Sequence, residues 1–459
     1  MKLYAHQKES VTTLDAAPRI CDFSDPGTGK TAVHVIAYSN YKLRGGKCAL
    51  VLAPKTLLVS VWESEFKQFA PWLLTSTAFA KNRTTAFNQV ADVYITNIDA
   101  TVWLAKQKAA FFERFDTLII DESTAYKHHT SARSKALRKI TKYFSVRRIL
   151  SGTPTENGIL DIWNQLMIID DGVRLGATYY GFRAATCIPK QIGPKPNHVK
   201  WVDLPGIEST VASLINDITI RHKFEECTDI PPNHKYIINF KLSEKHMQIY
   251  EEFEKQSMIE LQNAPTVRAI NGAVRYGKLL QIASGAVYSR ATTEKEIEAG
   301  EGDYVLIDND RYELIADLVA ARKNAVVLFN WQHQRVELER IFKSRKISYA
   351  VIKGNPAEIN ETVKEFQNGW YKVILANPQK AAHGLTLTKA TTTIFASPPL
   401  RAGFYIQGLK RIYRLGQTQK TETITIAGLG TLDEAVANNT LYLNNKMFDL
   451  LEYLKTKNK

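Results

Sequence analysis

The sequence predicts an α/β protein built from two parallel β-sheets, each covered by helices. In the first half, short apolar runs of strand length alternate with segments of helical periodicity, and residues 325–427 repeat this alternation. Strands buried on both faces appear as such apolar runs, and the helices between them cover the sheet. A chain of 459 residues also exceeds one ordinary core, so each half is expected to fold as its own lobe.

The individual elements follow from these patterns. Predicted strands cover residues 48–53, 92–96, 117–120 and 146–150 in the first half, and 325–329, 349–352, 373–376, 393–396 and 423–427 in the second. Helices are predicted at 56–69, 131–143, 243–283 and 432–455, whereas the proline-rich residues 188–206 are predicted to form an irregular loop. Pro231 and Pro232 mark the best boundary. We therefore assign residues 1–235 to the first lobe, with a helical insertion at about 160–220, and residues 236–459 to the second, with one at about 243–290.

Charge and cysteine usage narrow the class of protein. Sixty Lys and Arg residues oppose 46 Asp and Glu residues, and the net charge of +14 favours a polyanionic partner. Lysines that only keep the chain soluble are the alternative. The four cysteines lie far apart without a CxxC pair, which excludes a zinc ribbon or finger and is typical of reduced thiols in the cytosol. The first residues do not resemble a signal peptide, and no apolar run approaches the roughly 18 residues of a membrane helix. We expect a soluble, intracellular protein.

The strongest motif, SDPGTGKT, spans Ser24 to Thr31. Its glycines let backbone N–H groups close around phosphate oxygens, and the helical pattern after Thr31 places a helix N-terminus there. Lys30 is expected to reach the β- and γ-phosphates, and the Thr31 hydroxyl to hold Mg²⁺. Ser24 replaces the first glycine of the usual pattern, and a chance GTGKT in a loop is the alternative. The expected ATP-binding residues are Asp25, Pro26, Gly27, Thr28, Gly29, Lys30 and Thr31.

A second motif, FDTLIIDE, is an apolar strand that ends in Asp121 and Glu122. Asp121 could hold Mg²⁺ through water, and Glu122 could orient and deprotonate the attacking water. Alone, such a run is usually a strand that meets its loop. Together with the phosphate loop it predicts an ATP-hydrolysing site.

Two further motifs lie at residues 150–155 and 407–417. In LSGTPT, the hydroxyls of Ser151 and Thr153 could sense the γ-phosphate, although a plain turn explains the same residues. In QGLKRIYRLGQ, Arg411 and Arg414 are three residues apart, so on a helix they would share a face. Their guanidinium groups could act as arginine fingers that compensate charge in the transition state. A basic surface helix is the alternative.

These four motifs, in this order, resemble those of the Swi/Snf family of superfamily-two helicase-like ATPases. Residues 3–7 resemble the family's adenine-reading segment, with Gln7 as its glutamine, and residues 51–55 and 62–66 resemble the next motif, which contacts the DNA backbone. Residues 151–157 resemble the Ser/Thr-Gly-Thr-Pro-x-x-Asn element, and residues 221–223 before 230–232 resemble the join that leads out of the first lobe. Residues 407–417 resemble the family's Gln-x-x-x-Arg-x-x-Arg-Ile-Gly-Gln signature. The resemblance runs from about residue 3 to residue 428.

The resemblance implies two RecA-like lobes with a helical insertion on each, ATP and Mg²⁺ as ligands, and ATP-driven tracking along double-stranded DNA. It implies nucleotide contacts by Gly384 and Gln407. It also implies DNA-binding or coupling roles for a set of residues near the ATP site, namely Pro54, Lys55, Ser151, Thr153 and His383. Such a chain is expected to be a monomeric motor of bacterial or phage type, near the nucleoid in the cytoplasm, with phage or host replication or repair proteins as partners.

Two departures from the family pattern are visible. Ser123 and Thr124 stand where the family usually has Ala-His, so the contact of that histidine must be supplied otherwise. Residues 380–386, KAAHGLT, match the family's Gly-rich segment only in part.

Further candidates for contact with DNA phosphates are cationic residues in or after these motifs, namely Lys55, Lys127, His128, His129, Arg133 and Lys135. Each of them is alternatively a solvated surface charge. Trp331 and His333 could line a cleft in the second lobe, but a Trp at this position is more often packed in a core.

The sequence thus predicts a DNA-dependent ATPase that couples hydrolysis to translocation on, or remodelling of, double-stranded DNA. A strand-separating or fork-remodelling helicase is one alternative, because the same motor serves both when a wedge is added. An ATP-gated DNA-binding module that acts through partners is an alternative of another class, against which the intact Asp121-Glu122 pair argues. A nuclease is disfavoured, because no separate carboxylate–lysine cluster is visible.

Overall fold

A computed structural model describes residues 3–191, 199–227, 230–263, 268–288, 304–378, 385–414 and 416–456. The chain divides into two compact units, of which the first is Met1–Asp229 with Leu443–Lys459 and the second is Ile230–Tyr442. Each unit contains one large parallel sheet with helices around it, as the alternating pattern predicts. No helix in the described part of the chain is both long enough and apolar enough to cross a membrane.

The first unit begins with a helix and continues as an alternation of strands and helices. Its strands are β1 Arg19–Asp22, β2 Cys48–Ala53, β3 Thr75–Ala78, β4 Val93–Asn97, β5 Phe115–Ile120, β6 Val146–Leu150, β7 Cys187–Gln191, β8 Val199–Asp203 and β9 Thr219–Ile220. Its helices are α1 Ala5–Ala16, α2 Lys30–Leu43, α3 Ser64–Phe69, α4 Arg83–Asn88, α5 Thr101–Leu104, α6 Ala109–Phe112, α7 Ala132–Ile140, α8 Trp163–Asp170, α9 Tyr179–Thr186, α10 Ile207–Ile215 and α11 Phe224–Cys227. Shorter 3₁₀ turns cover Lys55–Leu57, Ile98–Ala100, Ser123–Tyr126, Thr141–Tyr143, Ile159–Ile162 and Asn216–Ile218, and a π-helical turn covers Leu58–Glu63.

The seven-stranded sheet of the first unit has the order β3-β4-β2-β5-β6-β1-β9, with every neighbouring pair parallel. Nearly all residues of its central strands are buried on both faces, including two arginines of β6. The register aligns the carboxyl ends of these strands, since Asp22 pairs with Leu150 and Leu52 pairs with Ile120. The loops that follow β1, β2, β5 and β6 therefore leave the sheet at one edge, which is where open α/β sheets bind ligands.

The core on one face of this sheet is formed by a helix and the segment after β2. Val35 and Tyr38 of α2 pack with Leu58, Trp62 and Phe66 against the buried strand residues. All five side chains are fully buried. The segment after β2 is thus attached firmly to the sheet edge that carries the predicted site.

The second unit repeats the α/β alternation. Its strands are β10 Asn233–Phe240, β11 Ala286–Tyr288, β12 Tyr304–Leu306, β13 Ala325–Leu328, β14 Tyr349–Val351, β15 Val373–Ala376, β16 Thr392–Phe395 and β17 Thr421–Gly428. Its helices are α12 Glu244–Asn263, α13 Arg268–Ala283, α14 Asp310–Ala320, α15 Gln332–Ser344, α16 Pro356–Gln367 and α17 Ala402–Leu409, and the last described helix of the chain is α18 Leu432–Thr456.

The parallel sheet of the second unit has the order β10-β17-β16-β13-β15-β14. The predicted strands at 325–329, 349–352, 373–376, 393–396 and 423–427 all lie in it. β10 has no counterpart among the predictions, although it pairs along its whole length with β17. It is an edge strand whose residues are mostly half-buried or exposed, so it lacks the apolar run by which the other strands are recognised.

The prediction of an irregular loop at 188–206 is wrong. β7 and β8 form an antiparallel pair in which Pro189 lies opposite Trp201 and Lys190 opposite Lys200. A two-stranded pair has two free edges, where the missing N–H of a proline costs no ladder hydrogen bond. Prolines at 194 and 196 lie outside the described residues.

Candidate active site

The predicted phosphate loop connects the end of β1 to the start of α2 at Lys30. Gly27 and Gly29 have φ angles of 92° and 82°, in the left-handed region that favours glycine. A Cβ atom on Gly29 would also lie 2.3 Å from Gln7 Nε2. The N-terminus of α2 opens onto this loop, and its free N–H groups favour a bound anion.

Lys30 points back into the loop. Its Nζ donates to the backbone carbonyls of Ser24 at 2.7 Å and Asp25 at 3.1 Å. Ser24, which replaces the usual glycine, is buried, and its hydroxyl accepts the backbone N–H of His222 at 3.1 Å. The serine that replaces glycine therefore adds a hydrogen bond between the phosphate loop and the segment after β9.

Gln7 lies against the phosphate loop from α1. Its Nε2 donates to the Thr28 carbonyl at 3.3 Å, and its Oε1 accepts the backbone N–H of Tyr4 at 3.1 Å. His6 Nε2 lies 3.0 Å from the same Thr28 carbonyl. The adenine-reading role of Gln7 stays a prediction, but its position beside the loop is what that role requires.

Residues 221–224, after β9, support the loop from the other side. Arg221 Nη1 donates to Asp25 Oδ1 at 2.7 Å and to the Phe23 carbonyl at 3.0 Å. The backbone N–H of Phe224 donates to Asp25 Oδ2 at 3.1 Å. The motif resemblance identified Arg221 only as part of the exit from the first lobe, whereas the structure makes it a direct partner of the ATP-binding motif.

A buried acid–histidine pair lies beneath the loop, and no motif indicated it. Asp22 accepts the backbone N–H of Ser24 at 3.0 Å, and its other carboxylate oxygen lies 3.2 Å from His34 Nε2. Burial acts to raise the pKa of Asp22, but the hydrogen bond from His34 and the charge of Lys30 lower it to about 2. Burial lowers the pKa of His34, so we assign a carboxylate bonded to a neutral imidazole.

Asp121 lies at the same sheet edge and is almost fully buried. Its backbone N–H donates to the Leu52 carbonyl at 2.8 Å, and its Oδ2 accepts Trp62 Nε1–H at 2.9 Å. Burial raises the pKa of Asp121, while the bond from Trp62 and the charge of Lys30 oppose that rise. Lys30 and Asp121, predicted from separate motifs, thus interact electrostatically.

The residues expected to hold Mg²⁺ fit that ion chemically. The Thr31 hydroxyl, in the first turn of α2, and the Asp121 carboxylate offer the hard oxygen ligands that Mg²⁺ prefers. Asp121 Oδ1 accepts the backbone N–H of Glu122 at 2.9 Å, which orients the carboxylate. Thr31 and Asp121 would supply the protein ligands of a Mg²⁺–nucleotide complex, with water as the usual source of the remaining ligands.

Glu122 has a φ angle of 52°, which is rare for a residue with a side chain and costs conformational energy. The residue after it continues the network, because Ser123 Oγ donates to Gln165 Oε1 at 2.7 Å. Gln165 Nε2 donates in turn to the Pro154 carbonyl at 2.7 Å. Ser123 and Gln165 are fully buried. They connect the Asp121-Glu122 loop to the SGTPT segment, and no motif indicated Gln165.

The SGTPT segment packs directly on the phosphate loop. The backbone N–H of Ser151 donates to the Asp22 carbonyl at 3.1 Å, and the backbone N–H of Thr153 donates to Ser151 Oγ at 3.0 Å. A Cβ atom on Gly152 would lie 2.7 Å from ring carbons of Pro26. Only glycine therefore allows this approach, which brings the predicted γ-phosphate sensor to the loop.

Several candidate DNA contacts have other partners. Lys127 Nζ lies 2.7 Å from Glu156 and 3.5 Å from Asp161, with only 12% of its side chain exposed. It is therefore neither a solvated charge nor an open phosphate contact, but a support for the SGTPT loop through Glu156, which also accepts Thr153 Oγ1–H. Lys55 is exposed directly after Pro54, at the edge where β2 ends.

Other candidates of the first unit lie on or near α7. Arg133 pairs with Asp99 at 2.7 Å, while His128 and Lys135 are exposed. His129 is half-buried and stacks on Tyr179.

In the second unit the signature arginines do not lie on a helix. α17 ends at Leu409, and Arg411 and Arg414 lie in the turns that follow it. Both guanidinium groups nevertheless donate to the Leu385 carbonyl, at 3.4 Å and 3.0 Å. The expectation of a shared helix face is wrong, but a shared acceptor brings the two groups together.

Gln407 lies on α17, and its backbone carbonyl accepts Arg411 Nε–H at 2.9 Å. Its side-chain Oε1 is buried without a hydrogen-bond partner among the described residues. His383 and Gly384, predicted from the Gly-rich segment, lie outside the described residues. Trp331 and His333 are buried, so they are core residues of the second unit.

A phosphate loop, a strand ending in Asp-Glu and a hydroxyl-rich loop meet at one edge of a parallel sheet, and a second α/β unit carries paired arginines. This arrangement defines the class of P-loop ATP hydrolases of helicase type. The SNF2-related domain model matches residues 20–284, and the helicase conserved C-terminal domain model matches residues 310–416. The chain belongs to the SNF2-related family of superfamily-two helicase-like ATPases.

The chain is also similar to individual proteins. The chain is 30% identical over 377 residues to protein p41 of Acyrthosiphon pisum secondary endosymbiont phage 1, covering 79% of this chain and 77% of the phage protein. It is 23% identical over 430 residues to an uncharacterized ATP-dependent helicase of Mycoplasma genitalium, covering 89% of this chain but only 38% of that protein. A solved SWI2/SNF2 ATPase core of Sulfolobus solfataricus in complex with dsDNA is 18% identical, with a TM-score of 0.44 over 98% of this chain and 94% of that one.

Proposed function

We propose that this ATPase is DNA-dependent and couples hydrolysis to translocation along, or remodelling of, double-stranded DNA. One contact carries the proposal: the Trp62 Nε1–H donates to the Asp121 carboxylate at 2.9 Å. Trp62 belongs to the segment that starts at Pro54 and Lys55, where a DNA-backbone contact is expected. A ligand bound at Pro54 and Lys55 would therefore be connected, through this firmly packed segment and Trp62, to the carboxylate proposed to hold Mg²⁺.

The first unit supplies most of the chemistry in this proposal. Mg²⁺–ATP, when bound, supplies the phosphoanhydride that is broken by in-line attack of water. The phosphate loop and Lys30 bind and orient the triphosphate, while Thr31 and Asp121 hold the ion. Glu122 accepts a proton from the attacking water at its carboxylate. Gln7, which lies beside the loop, is proposed to contact the adenine.

The second unit contributes positive charge. We propose that Arg411 and Arg414 compensate the charge that develops on the γ-phosphate. We also propose that Gln407 contributes to the nucleotide contact, since its buried Oε1 has no hydrogen-bond partner among the described residues. Burial partly desolvates the Arg414 guanidinium group and lowers its pKa. A desolvated cation interacts more strongly with phosphate than one in water.

The net charge of +14 supports a polyanionic partner. Ser151 and Thr153 are proposed to pass the state of the nucleotide to the DNA-facing side, through the Gln165 connection. We propose that the protein acts as a monomer in the bacterial cytoplasm, since relatives of this chain come from a phage and from bacteria. Phage or host replication or repair proteins are the proposed partners.

The experiment that tests this function is an ATPase assay with and without blunt double-stranded DNA. We expect clear stimulation of turnover by the duplex, and a loss on the order of 100-fold or more in the Lys30→Ala variant. Lys106→Ala, which removes an exposed lysine away from the loop, is the matched control and keeps wild-type activity. Absence of stimulation by duplex, or full activity of Lys30→Ala, would refute the proposal.

Two further measurements separate the alternatives. Robust separation of a labelled forked duplex would favour a strand-separating helicase over a duplex translocase. Tight ATP-dependent DNA binding with negligible turnover would favour an ATP-gated binding module.

A further inference from the structure

A cationic and aromatic cluster lies on the first unit, away from the ATP-site residues. We call it the Arg183 clamp: Arg183 and Tyr180 on α9, and Trp201 on β8. The Arg183 Cζ atom lies 4.0 Å from the centroid of the Trp201 ring and 5.0 Å from that of Tyr180. The guanidinium group is thus held by two aromatic rings.

The hydrogen-bonding capacity of Arg183 is unused within the described residues. Among the described residues, no carboxylate lies within 4.0 Å of its guanidinium group, and its Nε is buried with no acceptor. Two carboxylates of the same region have other partners, since Asp203 accepts the Ile159 N–H at 3.0 Å and Asp161 pairs with Lys127. A planar guanidinium group that is pre-oriented but lacks an acceptor is suited to bidentate binding of a phosphate.

Further cations lie in the same two-stranded pair as Trp201. Lys190 and Lys200 lie directly opposite each other in the β7–β8 pair, on the face opposite to that of Trp201. Both are exposed, and neither has a carboxylate partner in the part of the chain that the structure describes. Like charges in such cross-strand pairs reduce stability unless an anion lies between them. On the other side, burial and the charges of Arg138, Lys135, His128 and Arg183 all lower the pKa of His129.

An exposed aromatic ring completes the cluster. Tyr180 is 64% exposed, although it sits among well-packed rings. Tyr179 and His129 stack with their centroids 3.9 Å apart, and the Tyr180 ring lies roughly perpendicular to both. Tyr180 is therefore held in a fixed orientation with much of its surface in solvent, where a nucleobase could stack on it.

We propose that the Arg183 clamp binds single-stranded DNA, with Arg183 on a backbone phosphate and Tyr180 stacked on an unpaired base. Duplex bases are stacked on one another and cannot reach a protein ring, so the combination of cations and an exposed aromatic face selects an unpaired strand. The excess of cations disfavours a basic or purely apolar partner. We choose DNA over RNA because the same unit is proposed to act on DNA, so this choice rests on the proposed function. Binding of an unpaired nucleic acid by the clamp does not depend on the ATPase proposal.

The test is fluorescence anisotropy of a labelled oligo(dT) of about 15 nucleotides, which forms no duplex, titrated with the full chain in the absence of ATP. We expect Tyr180→Ala to weaken binding about tenfold and Tyr180→Phe to retain it. Arg183→Ala should weaken binding and reduce the slope of log affinity against log salt by about 0.7, while Arg183→Lys should keep the slope. Tyr442→Ala and Arg340→Ala, which remove an exposed ring and a partly exposed arginine elsewhere, are the matched controls.

Circular dichroism melting shows whether each variant is folded. If an alanine variant is unfolded, Tyr180→Phe and Arg183→Lys are compared with the wild type instead. The proposal is overturned if wild type does not bind oligo(dT), or if Tyr180→Ala and Arg183→Ala bind it as tightly as the controls. Tighter binding of oligo(U) would overturn the choice of DNA. Stimulation of ATP hydrolysis by blunt duplex, measured on the same proteins, reports separately on the proposed function.

Discussion

The Arg221 guanidinium group lies 2.7 Å from the Asp25 carboxylate, and this buried ion pair joins residues 196 positions apart in the chain. Asp25 stands inside the ATP-binding motif, whereas Arg221 follows the edge strand β9. The conformation of the phosphate loop therefore depends on the segment after β9, which packs against the loop although it lies much later in the chain.

Replacing this arginine should destabilise the first unit. In Arg221→Ala, the buried Asp25 carboxylate loses its cation, which typically costs about 3–5 kcal/mol, and the loop loses its support. We expect a lower free energy of unfolding in urea and a higher KM for ATP. Arg44→Ala, which removes an exposed pair with Asp15, is the control and should cost less than about 1 kcal/mol. Equal stability of the two variants would contradict a structural role for the Arg221–Asp25 pair.

Trp62 is expected to tune magnesium binding. Trp62→Phe keeps an aromatic ring in the core but removes the N–H that orients Asp121. We expect the Mg²⁺ concentration for half-maximal ATP hydrolysis to rise about tenfold, as when a hydrogen bond to a metal-binding carboxylate is lost. Trp72→Phe, at an exposed tryptophan, is the control. An unchanged magnesium requirement would show that this hydrogen bond does not position the carboxylate.

The connection through Gln165 should affect coupling more than nucleotide affinity. Gln165→Leu leaves the Ser123 hydroxyl and the Pro154 carbonyl without their partner, at a cost of about 1–3 kcal/mol for the buried groups. We expect the stimulation of turnover by duplex DNA to fall while the KM for ATP changes little. In a double-mutant cycle with Ser123→Ala, the two effects should be strongly non-additive. Additive effects would mean that the two residues act separately.

Arg411 and Arg414 should act on turnover. Each Arg→Ala variant is expected to lower kcat on the order of 10³-fold, as for an arginine finger, while binding of a fluorescent ATP analogue is retained. Arg401→Ala, an exposed arginine just before α17, is the control. Wild-type turnover in both variants would exclude the arginine-finger role.

The second unit should lose stability in mild acid because of His333. Burial, with a smaller effect from Arg311, lowers the pKa of His333 from its ordinary value of 6.5 to about 3. The folded state therefore excludes a proton that the unfolded chain binds below pH 6.5. The free energy of unfolding should fall by up to about 1.4 kcal/mol per pH unit between pH 6.5 and pH 3, with full stability above pH 6.5.

Urea unfolding at a series of pH values measures this dependence. His333→Gln should flatten the slope between pH 6.5 and pH 4, although His246, whose pKa burial also lowers, keeps part of it. Exposed His128→Gln is the control and should keep the wild-type slope. If His333→Gln retains the full slope, another group is responsible.

The alternation of apolar runs and helical segments along the chain was enough to predict the fold class and most strands of the two large sheets. The apolar run at Cys48–Ala53 is a strand because its residues are buried on both faces, and the same physics applies to the second sheet. Where a strand lies at an edge, as in β10, half of its surface is solvated and the apolar run disappears. The β7–β8 pair was missed for a related reason, since prolines are tolerated at its free edges.

The sequence by itself determined the ATP-binding and carboxylate motifs, because a phosphate loop needs glycines, a lysine and a helix start within a few consecutive residues. Only the tertiary structure decided what supports them. Arg221, His34 and Gln165 reach the site from separate elements, and their pairing depends on which strand ends meet at one sheet edge. The same holds for Arg411 and Arg414, which converge on the Leu385 carbonyl through turns rather than along a helix. Contacts between residues far apart in the chain leave no spacing in the sequence from which they could be predicted.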